Sequence, residues 1–341
     1  MDARGAVCAT PKGDATFSSL ASRYWKSGRF AARYFTLRDW RERGLVARSP
    51  DALSYGAIQK AKKYTRSKAS LPRGKGLCGT FFKSDLLTIS EDGDMGKALY
   101  ERWWFGQYGS YKAAGRGRLN KLDIYETIFL MSKGVLKLQN ATRKDVLRFA
   151  RSRRKDFDRM YGVYADWRSK GYVVKTGFKF GTHFRLYFPG TRPAGSGENS
   201  KEWVHSRHVI HVFPRESKLL ISEWARAIRV AHSVRKTFIL AVPGIHGSAR
   251  TRVDYVLYHR KGGDTQNPSN SKPRYAMLSL GEEEYIGGGE FATAISAARS
   301  LGLEPVLAIA DRETAVTYYV VREIKLAGSR NNYYEIDWMQ P

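Results

Sequence analysis

The 341-residue chain contains only two cysteines, Cys8 and Cys78, and no long uninterrupted apolar run. Two cysteines are too few for a disulfide-stabilised scaffold or for a zinc site built from cysteine ligands. A membrane-spanning helix needs roughly 18 or more consecutive apolar residues, and the chain has neither such a stretch nor a signal-peptide pattern at its start. These absences predict a cytoplasmic protein that does not enter a membrane.

Acidic residues are scarce relative to basic ones. Lys and Arg number 59 against 32 Asp and Glu, which gives a formal net charge of +27 and a pI near 10.1. This excess indicates a polyanionic partner, nucleic acid above all, although a solvated basic surface is the plainer interpretation. The charge is uneven, since residues 1–75 carry a net +12 and residues 263–341 a net −4. The acidic C-terminal part is therefore predicted to contact protein rather than RNA.

Two internal repeats indicate duplicated units. Residues 30–46 (FAARYFTLRDWRERGLV) match residues 157–173 (FDRMYGVYADWRSKGYV) around a shared DWR…G core. Residues 224–242 match residues 291–309, and each copy is typical of a small-residue helix followed by a buried strand. The cationic residues of the first copy, Lys236 among them, have no counterpart in the second. This difference indicates one working unit and one structural copy.

The hydrophobic pattern predicts a mixed α+β fold. Helices are predicted at 19–43, 95–104, 122–133, 143–170, 220–235 and 290–301. Strands are predicted at 172–178, 183–188, 207–213, 237–242, 252–260, 305–310 and 316–323. Linkers or polar loops are predicted at 64–76, 189–201 and 261–274.

Three segments of the middle region carry a combined signature. Residues 171–190 read GYVVKTGFKFGTHFRLYFPG, residues 204–212 read VHSRHVIHV, and residues 225–242 read ARAIRVAHSVRKTFILAV. In this order they closely resemble the motifs of the archaeal tRNA-splicing endonucleases, which supply a tyrosine, a histidine and a lysine. The resemblance covers roughly residues 78–262. It implies an endonuclease that removes introns from precursor tRNA.

By this resemblance the catalytic residues are Tyr187, His205 and Lys236. RNA carries its own nucleophile, the 2′-hydroxyl, so cleavage needs a base, an acid and a cation beside the five-coordinate phosphate. Histidine titrates near neutrality and suits the acid, whereas tyrosine, with an ordinary pKa of about 10, needs neighbouring cations to act as a base. Tyr187 would be the base, His205 the acid and Lys236 the stabilising cation. The implied products are a 2′,3′-cyclic phosphate and a 5′-hydroxyl, with no metal or cofactor.

Two features depart from the family's pattern. The spacing of 18 residues between Tyr187 and His205 is longer than usual, and the extra length falls in the polar loop 189–201. The family's HS-x-Y motif has His208 in the tyrosine position, so a second histidine is a candidate acid. Strand alternation places His205 and His208 on opposite faces. His205 is preferred because it directly precedes the serine of the motif.

Substrate contacts follow from the same resemblance. Arg229 and Arg260 are similar to the arginine pair with which the family clamps an unpaired bulge base, and guanidinium stacks on bases better than ammonium does. A general phosphate contact is the alternative for both. The basic loop 107–121 resembles a lysine-bearing insertion of some members, in which Lys112 is the candidate RNA contact. A solvated basic loop is the alternative there.

The resemblance divides the chain into three fused units. Residues 1–75 are a truncated N-terminal unit with a basic linker, residues 76–262 the complete catalytic unit, and residues 263–341 the structural C-terminal unit without the triad. The catalytic unit combines a helical, small-sheet N-terminal subdomain (78–170) with a mixed-sheet catalytic subdomain (171–262). The fold is therefore expected to consist of tandem duplicated units of this kind.

The implied assembly is a homodimer. In the family an acidic loop of the structural unit inserts into a basic pocket of a catalytic unit across an interface, and Asp311 and Glu313 stand in the matching loop. The substrate would be precursor tRNA with a bulge-helix-bulge motif, whose two bulges require two cuts. Each chain would supply one active site.

Two other functions remain open from the sequence. The chain could be a non-catalytic protein that binds structured RNA on the same scaffold. It could instead be a metal-dependent nuclease, although the middle unit shows no paired carboxylates beside a lysine and no His/Asp cluster with ligand spacing.

Overall fold

The computed structural model describes residues 7–10, 13–64, 67, 72, 76–110, 116–193, 204–244 and 253–341. The α-helices are α1 (Phe17–Tyr24), α2 (Phe30–Glu42), α3 (Gly93–Trp103), α4 (Ile124–Ser132), α5 (Arg143–Arg153), α6 (Phe157–Ser169), α7 (Ile221–Ser233) and α8 (Gly288–Ser300). Within the described ranges, none of them combines the length and the apolar composition that a membrane crossing requires.

The strands complete the mixed α+β fold that the sequence predicts. They are β1 (Val7–Thr10), β2 (Gly13–Thr16), β3 (Ala47–Arg48), β4 (Lys62–Tyr64), β5 (Leu77–Phe82), β6 (Leu87–Ser90), β7 (Gln107–Tyr108), β8 (Asn120–Asp123), β9 (Leu136–Leu138), β10 (Val173–Thr176), β11 (Phe184–Tyr187), β12 (His208–Val212), β13 (Lys218–Leu220), β14 (Thr237–Val242), β15 (Tyr255–Leu257), β16 (Arg260–Lys261), β17 (Asp264–Thr265), β18 (Tyr275–Gly281), β19 (Tyr285–Gly287), β20 (Glu304–Ala310), β21 (Val316–Leu326) and β22 (Asn332–Met339).

Two of the predicted helices are interrupted in the structure. The region predicted as one helix over 19–43 forms α1 and α2, separated at Arg29, whose φ of +63° is left-handed. The region predicted as one helix over 143–170 forms α5 and α6, separated at Arg154, which has an extended backbone. The single-helix predictions are wrong at both places. Neither break contains proline, and the helical periodicity of the apolar residues continues across both, so the sequence pattern does not reveal them.

Side-chain caps determine where two helices of the middle region begin. The Asp123 carboxylate accepts a hydrogen bond from the Glu126 N–H (2.8 Å), and the Glu126 carboxylate accepts one from the Asp123 N–H (3.1 Å). Thr142 and Asp145 form the same capping box at α5. These reciprocal bonds satisfy N–H groups that a helix leaves without internal partners. As a result β8 runs directly into α4, where the sequence predicts helix from residue 122.

The central sheet runs in the order β10-β11-β12-β14-β22-β21-β20-β18-β15-β3, and β4 pairs with β21 off this path. The β12–β14, β18–β20 and β21–β4 pairs are parallel and the other pairs antiparallel. Helices α6 and α2 pack on one face, and α7 and α8 pack on the other. The result is a three-layer arrangement around one continuous sheet.

The two sequence repeats occupy corresponding places on either side of the β21–β22 pair. Helix α6 leads into β10 as α2 leads into β3, and the crossover from β12 through α7 to β14 corresponds to that from β18 through α8 to β20. Asp166 accepts a hydrogen bond from the Tyr333 hydroxyl (2.8 Å), and Asp39 accepts one from the Tyr318 hydroxyl (2.7 Å). The matched helices are thus anchored to the central strands in the same way. This arrangement is consistent with duplicated units.

The sheet is continuous across the unit boundaries predicted from the sequence. Strand β15 lies between β18 and β3, away from β14, and the C-terminal strand β22 pairs with β14 instead. The N-terminal region contributes α2, β3 and β4 to the same layers. The described strands of the three predicted units thus pair with one another within one sheet. The boundaries near 75 and 262 stay predictions about the sequence units.

A smaller sheet forms the first part of the middle region. Its five strands run in the order β7-β8-β6-β5-β9, and α3, α4 and α5 pack with them. Buried Leu99, Phe129, Trp167 and Val174 belong to one apolar cluster that extends from this subdomain to the face of the central sheet under α6. The two subdomains therefore share a core.

We expect Tyr333→Phe to lower the free energy of unfolding by about 1.5–3 kcal/mol, because a buried hydrogen bond to a charged carboxylate is lost. Asp166 would keep its bonds from Ser329 and Asn331, so the fold should survive. Urea denaturation followed by fluorescence measures the change. Tyr285→Phe is the matched control because the Tyr285 side chain is largely exposed. Equal stability of the two variants would contradict the prediction.

Candidate active site

Three neighbouring strands of the central sheet place the predicted triad at one edge. In the antiparallel β11–β12 pair Leu186 lies opposite His208, and in the parallel β12–β14 pair His208 lies opposite Thr237. Tyr187 is the residue after Leu186, and Lys236 is the residue before Thr237. His205 lies in the segment that leads into β12. The sheet register therefore brings all three segments to the same edge.

Lys236 has a buried ammonium group at the junction of α7 and β14. Its side chain is 7% exposed, its Nζ donates a hydrogen bond to the Ser206 carbonyl oxygen at 2.6 Å, and it lies 5.0 Å from the centre of the Phe180 ring. Burial lowers the pKa of Lys236, and the positive charge of Arg185 lowers it further. Arg235 just before it has a left-handed φ of +53°, which ends α7 and turns the chain into β14.

Tyr187 is the last residue of β11 and is 4% exposed. Its ring lies 4.7 Å from that of Trp104, and the Arg185 guanidinium lies 5.9 Å from its centre. Arg185 therefore places a positive charge next to both the Tyr187 ring and the Lys236 ammonium. Arg185 lies two residues before Tyr187 in the 171–190 segment, but the motifs alone assign it no role.

Trp104, which contacts Tyr187, lies in a loop whose carbonyl oxygens accept hydrogen bonds from two buried cations, Arg168 and Lys175. Arg168, 2% exposed, donates to the carbonyl oxygens of Trp103 (2.5 Å) and Trp104 (3.2 Å). Lys175 donates to the Gly106 carbonyl oxygen at 2.8 Å and to the Glu126 carboxylate at 2.6 Å. Burial lowers the pKa of Lys175, and the charge of Glu126 partly restores it. The members of this set come from four separate segments, so no local sequence pattern reveals it.

The two candidate histidines lie in different environments. His205 is exposed, in the loop before β12. His208 is 6% exposed, its Nε2 lies 3.0 Å from the Tyr64 hydroxyl, and its ring meets the Phe188 ring edge-on. Burial and the charges of Lys62 and Arg207 lower the pKa of His208 to about 4. His208 faces the α6 side of the sheet. Lys236 lies two residues before Phe238, so strand alternation turns both side chains towards α7.

The two predicted base-clamping arginines are far apart within one chain. Arg229 is exposed on α7, which packs beside β14. Arg260 is exposed after β15 and donates to the Arg43 carbonyl oxygen at 2.7 Å. Four strands lie between β14 and β15 in the sheet. Arg229 and Arg260 therefore do not form a pair in one copy of the chain, and Lys112 lies outside the described residues.

The predicted acidic loop joins β20 to β21. The Asp311 carboxylate accepts hydrogen bonds from the N–H groups of Glu313 and Ala315, both at 2.9 Å, so this side chain builds the turn. Thr314 has a left-handed φ of +67°. Glu313 is exposed at the tip. The loop thus presents one carboxylate to solvent and uses the other internally.

Comparisons with known proteins match the region of the chain that contains this edge. Residues 157–249, which contain the Tyr187, His205 and Lys236 positions, match the family described as tRNA intron endonuclease, catalytic C-terminal domain. The chain is 34% identical over 156 residues to the tRNA-splicing endonuclease of Methanopyrus kandleri, covering 44% of this chain and 80% of that protein.

Two further relatives carry the same name. The protein of Thermococcus kodakarensis is 32% identical over 166 residues, which is 48% of this chain and 88% of the relative. The protein of Methanococcoides burtonii is 34% identical over 182 residues, which is 52% of this chain and 46% of the relative. The family match and these similarities define an endonuclease. The chain belongs to the tRNA intron endonuclease family, as its motifs predict.

We expect Arg185→Gln to raise the pKa of Lys236, because removal of a nearby positive charge favours the protonated ammonium. The burial of Lys236 remains, so its pKa should stay below that of an exposed lysine. Titration of isotopically labelled lysine by NMR measures the shift. Arg185→Lys keeps a cation at this position and should leave the pKa lower than Arg185→Gln does. An unchanged pKa of Lys236 in both variants would show that Arg185 does not act on the Lys236 ammonium.

Proposed function

We propose that this chain excises introns from precursor tRNA at bulge-helix-bulge motifs by metal-independent transesterification. The observation that carries the proposal is the meeting of the Tyr187, His205 and Lys236 segments at one sheet edge, with Arg185 next to the first and the last. The relatives named tRNA-splicing endonuclease support the choice of substrate.

In the proposed reaction the 2′-hydroxyl of the nucleotide before the cut attacks the adjacent phosphorus. Tyr187, ionised to its phenolate, accepts the proton of that hydroxyl, the bond from phosphorus to the 5′-oxygen breaks, and protonated His205 gives its proton to the departing oxygen. A 2′,3′-cyclic phosphate and a 5′-hydroxyl result. Tyr187 is held by its buried contact with Trp104, which suits a positioned base. His205 is exposed to solvent, which suits an acid that must be reprotonated.

Lys236 would stabilise the extra negative charge of the five-coordinate phosphate. Its ammonium is already desolvated and is fixed by the Ser206 carbonyl and the Phe180 ring, so little reorganisation is needed when charge develops. His208 is a poorer candidate acid than His205. It bonds with Tyr64 away from Lys236, and its lowered pKa keeps it neutral near pH 7.

We further propose that the chain acts as a homodimer with one triad in each copy. The two cuts at a bulge-helix-bulge motif then correspond to two active sites. Glu313 at the tip of an acidic loop would dock on a basic surface of the partner, and Arg229 and Arg260 would clamp one bulge base only if they come from different copies. Lys112 would add a contact to the RNA from its basic loop.

We expect wild-type protein to cut an intron-containing precursor tRNA at both bulges in EDTA, with cyclic-phosphate and 5′-hydroxyl ends. Single-turnover rates should fall about 10²–10⁴-fold in Tyr187→Phe and His205→Ala, and about 10²–10³-fold in Lys236→Ala. Gel analysis with end-group assays measures both. His208→Ala is the matched control and should lose less than His205→Ala.

Each alternative function gives a different result in this experiment. RNA bound tightly but left uncut by wild-type protein would favour a binding protein. Cleavage abolished by EDTA and restored by Mg²⁺ would favour a metal-dependent nuclease. Among the described residues no group of three or more His, Cys, Asp or Glu side chains could hold a metal ion, so any such site would have to be assembled differently.

We expect light scattering after size exclusion to give twice the 38.7 kDa chain mass. Glu313→Lys should shift the protein towards monomer, because a like charge would then face the basic partner surface. Glu91→Lys makes the same charge change at another exposed position, in the N-terminal subdomain, and should leave the dimer intact. A dimer equally stable in both variants would exclude this loop from the interface.

A further inference from the structure

A cleft of about 590 Å³ opens on the face of the central sheet that His208 occupies. It lies between the N-terminal strand β4 and the starts of β12 and β14. Its lining residues are Lys62, Lys63, Tyr64, Tyr172, Phe188, Arg207, His208, Arg235 and Thr237. Four of these described residues are lysine or arginine and none is acidic. The proposed mechanism uses none of them.

The cationic side chains of this cleft differ in how they are engaged. Lys62 is held by the Glu335 carboxylate at 2.7 Å. Lys63, Arg207 and Arg235 are exposed and form no ion pair with another described residue. Three uncompensated cations around one concave surface favour a phosphate, which can accept bonds from several of them at once.

Aromatic rings form the rest of the surface. Phe188 is 41% exposed, with the Arg207 guanidinium 5.8 Å from its ring centre and the His208 ring edge-on at 5.6 Å. Tyr172 lies behind it at 6.2 Å. The hydrogen bond between Tyr64 and His208 fixes the floor of the cleft. An exposed aromatic ring beside cations is the arrangement that stacks an unpaired base and holds its phosphate.

On each of the three triad segments, a cleft residue lies one or two positions along the chain from the triad residue. Phe188 directly follows Tyr187, and Arg235 directly precedes Lys236. Arg207 lies two residues after His205, and its carbonyl oxygen accepts the Thr237 N–H at 3.0 Å. An RNA strand with one phosphate at the triad edge would therefore pass this cleft with an adjacent nucleotide.

We propose that this cleft is a subsite for one unpaired nucleotide of the RNA next to the scissile phosphate. The base stacks on Phe188, and the nucleotide's phosphate is held by Lys63, Arg207 and Arg235. The inference rests on the proposed RNA substrate. It adds a contact that the family motifs do not contain, because β4 supplies Lys63 from the N-terminal region.

The test uses precursor tRNA with 2′-deoxynucleotides at both cutting positions, which removes the attacking hydroxyl. Phe188→Leu should weaken binding of this RNA about tenfold, within the range measured for single stacked bases. RNAs with one abasic nucleotide on either side of each cut are then compared. At one position, loss of the base should weaken binding to wild-type protein about tenfold. The same abasic RNA should bind the Phe188→Leu variant as tightly as intact RNA binds that variant. Phe188→Tyr should restore the wild-type pattern.

The phosphate contact has its own readout. Lys63→Gln should reduce the slope of log affinity against log salt concentration by about 0.7, the value for one contact to a single strand. Lys144→Gln removes a charge from the exposed surface of α5, outside the cleft, and should change the slope less.

Several outcomes would overturn the subsite. One is wild-type affinity of Phe188→Leu for intact RNA. Another is that the loss of affinity caused by Phe188→Leu adds to the loss caused by the missing base at every position. Such additivity is expected of a structural residue that does not contact the base. Cutting of the 2′-deoxy RNA, or no cutting of normal precursor tRNA, would instead overturn the proposed reaction. The binding comparison would remain decisive for the cleft in that case.

Discussion

The buried Lys175 ammonium joins the two subdomains on which the candidate active site depends. It lies on β10, opposite Arg185 of β11, and it bonds to Glu126 of α4 and to the Gly106 carbonyl. Removing one partner of a buried ion pair typically costs about 3–5 kcal/mol, so this link is hard to break. The loop that it holds carries Trp104, whose ring contacts Tyr187. The environment of the proposed base is thus built by residues outside the three motifs.

Strand alternation divides the chemistry of the site between two faces of the sheet. Lys236 and Phe238 point towards α7, whereas His208 and Ile210 point towards α6. Adjacent residues of the same strands can therefore serve a reaction on one side and hold substrate on the other. The cations at this edge repel one another in the free protein, and a bound phosphate chain would relieve that repulsion.

The sequence identifies the three motifs because each is contiguous and adjoins a strand, whereas the roles of their residues stay predictions. Tyr187 ends β11, whereas His205 and Lys236 precede β12 and β14, and the register of these strands brings the three segments together. The roles of Arg168 and Trp104 could not be predicted, because their contacts depend on how two subdomains pack. The interleaving of β15 and β22 was missed for a similar reason. Pairing of distant strands leaves no local pattern, and β22 was not predicted as a strand at all.

The corresponding half of the sheet shows why one chain would carry one active site. The offset of 67 residues that relates β12 to β18 and β14 to β20 places Leu303 at the Lys236 position and Lys272 at the His205 position. Register across β15 and β18 places Tyr258 at the Tyr187 position. The buried Leu303 carries no charge that could stabilise a five-coordinate phosphate, and Lys272 replaces the histidine that the proposed acid role requires. This half keeps the scaffold without counterparts of the proposed acid and cation, so under the proposed mechanism a second cut would require a second copy of the chain.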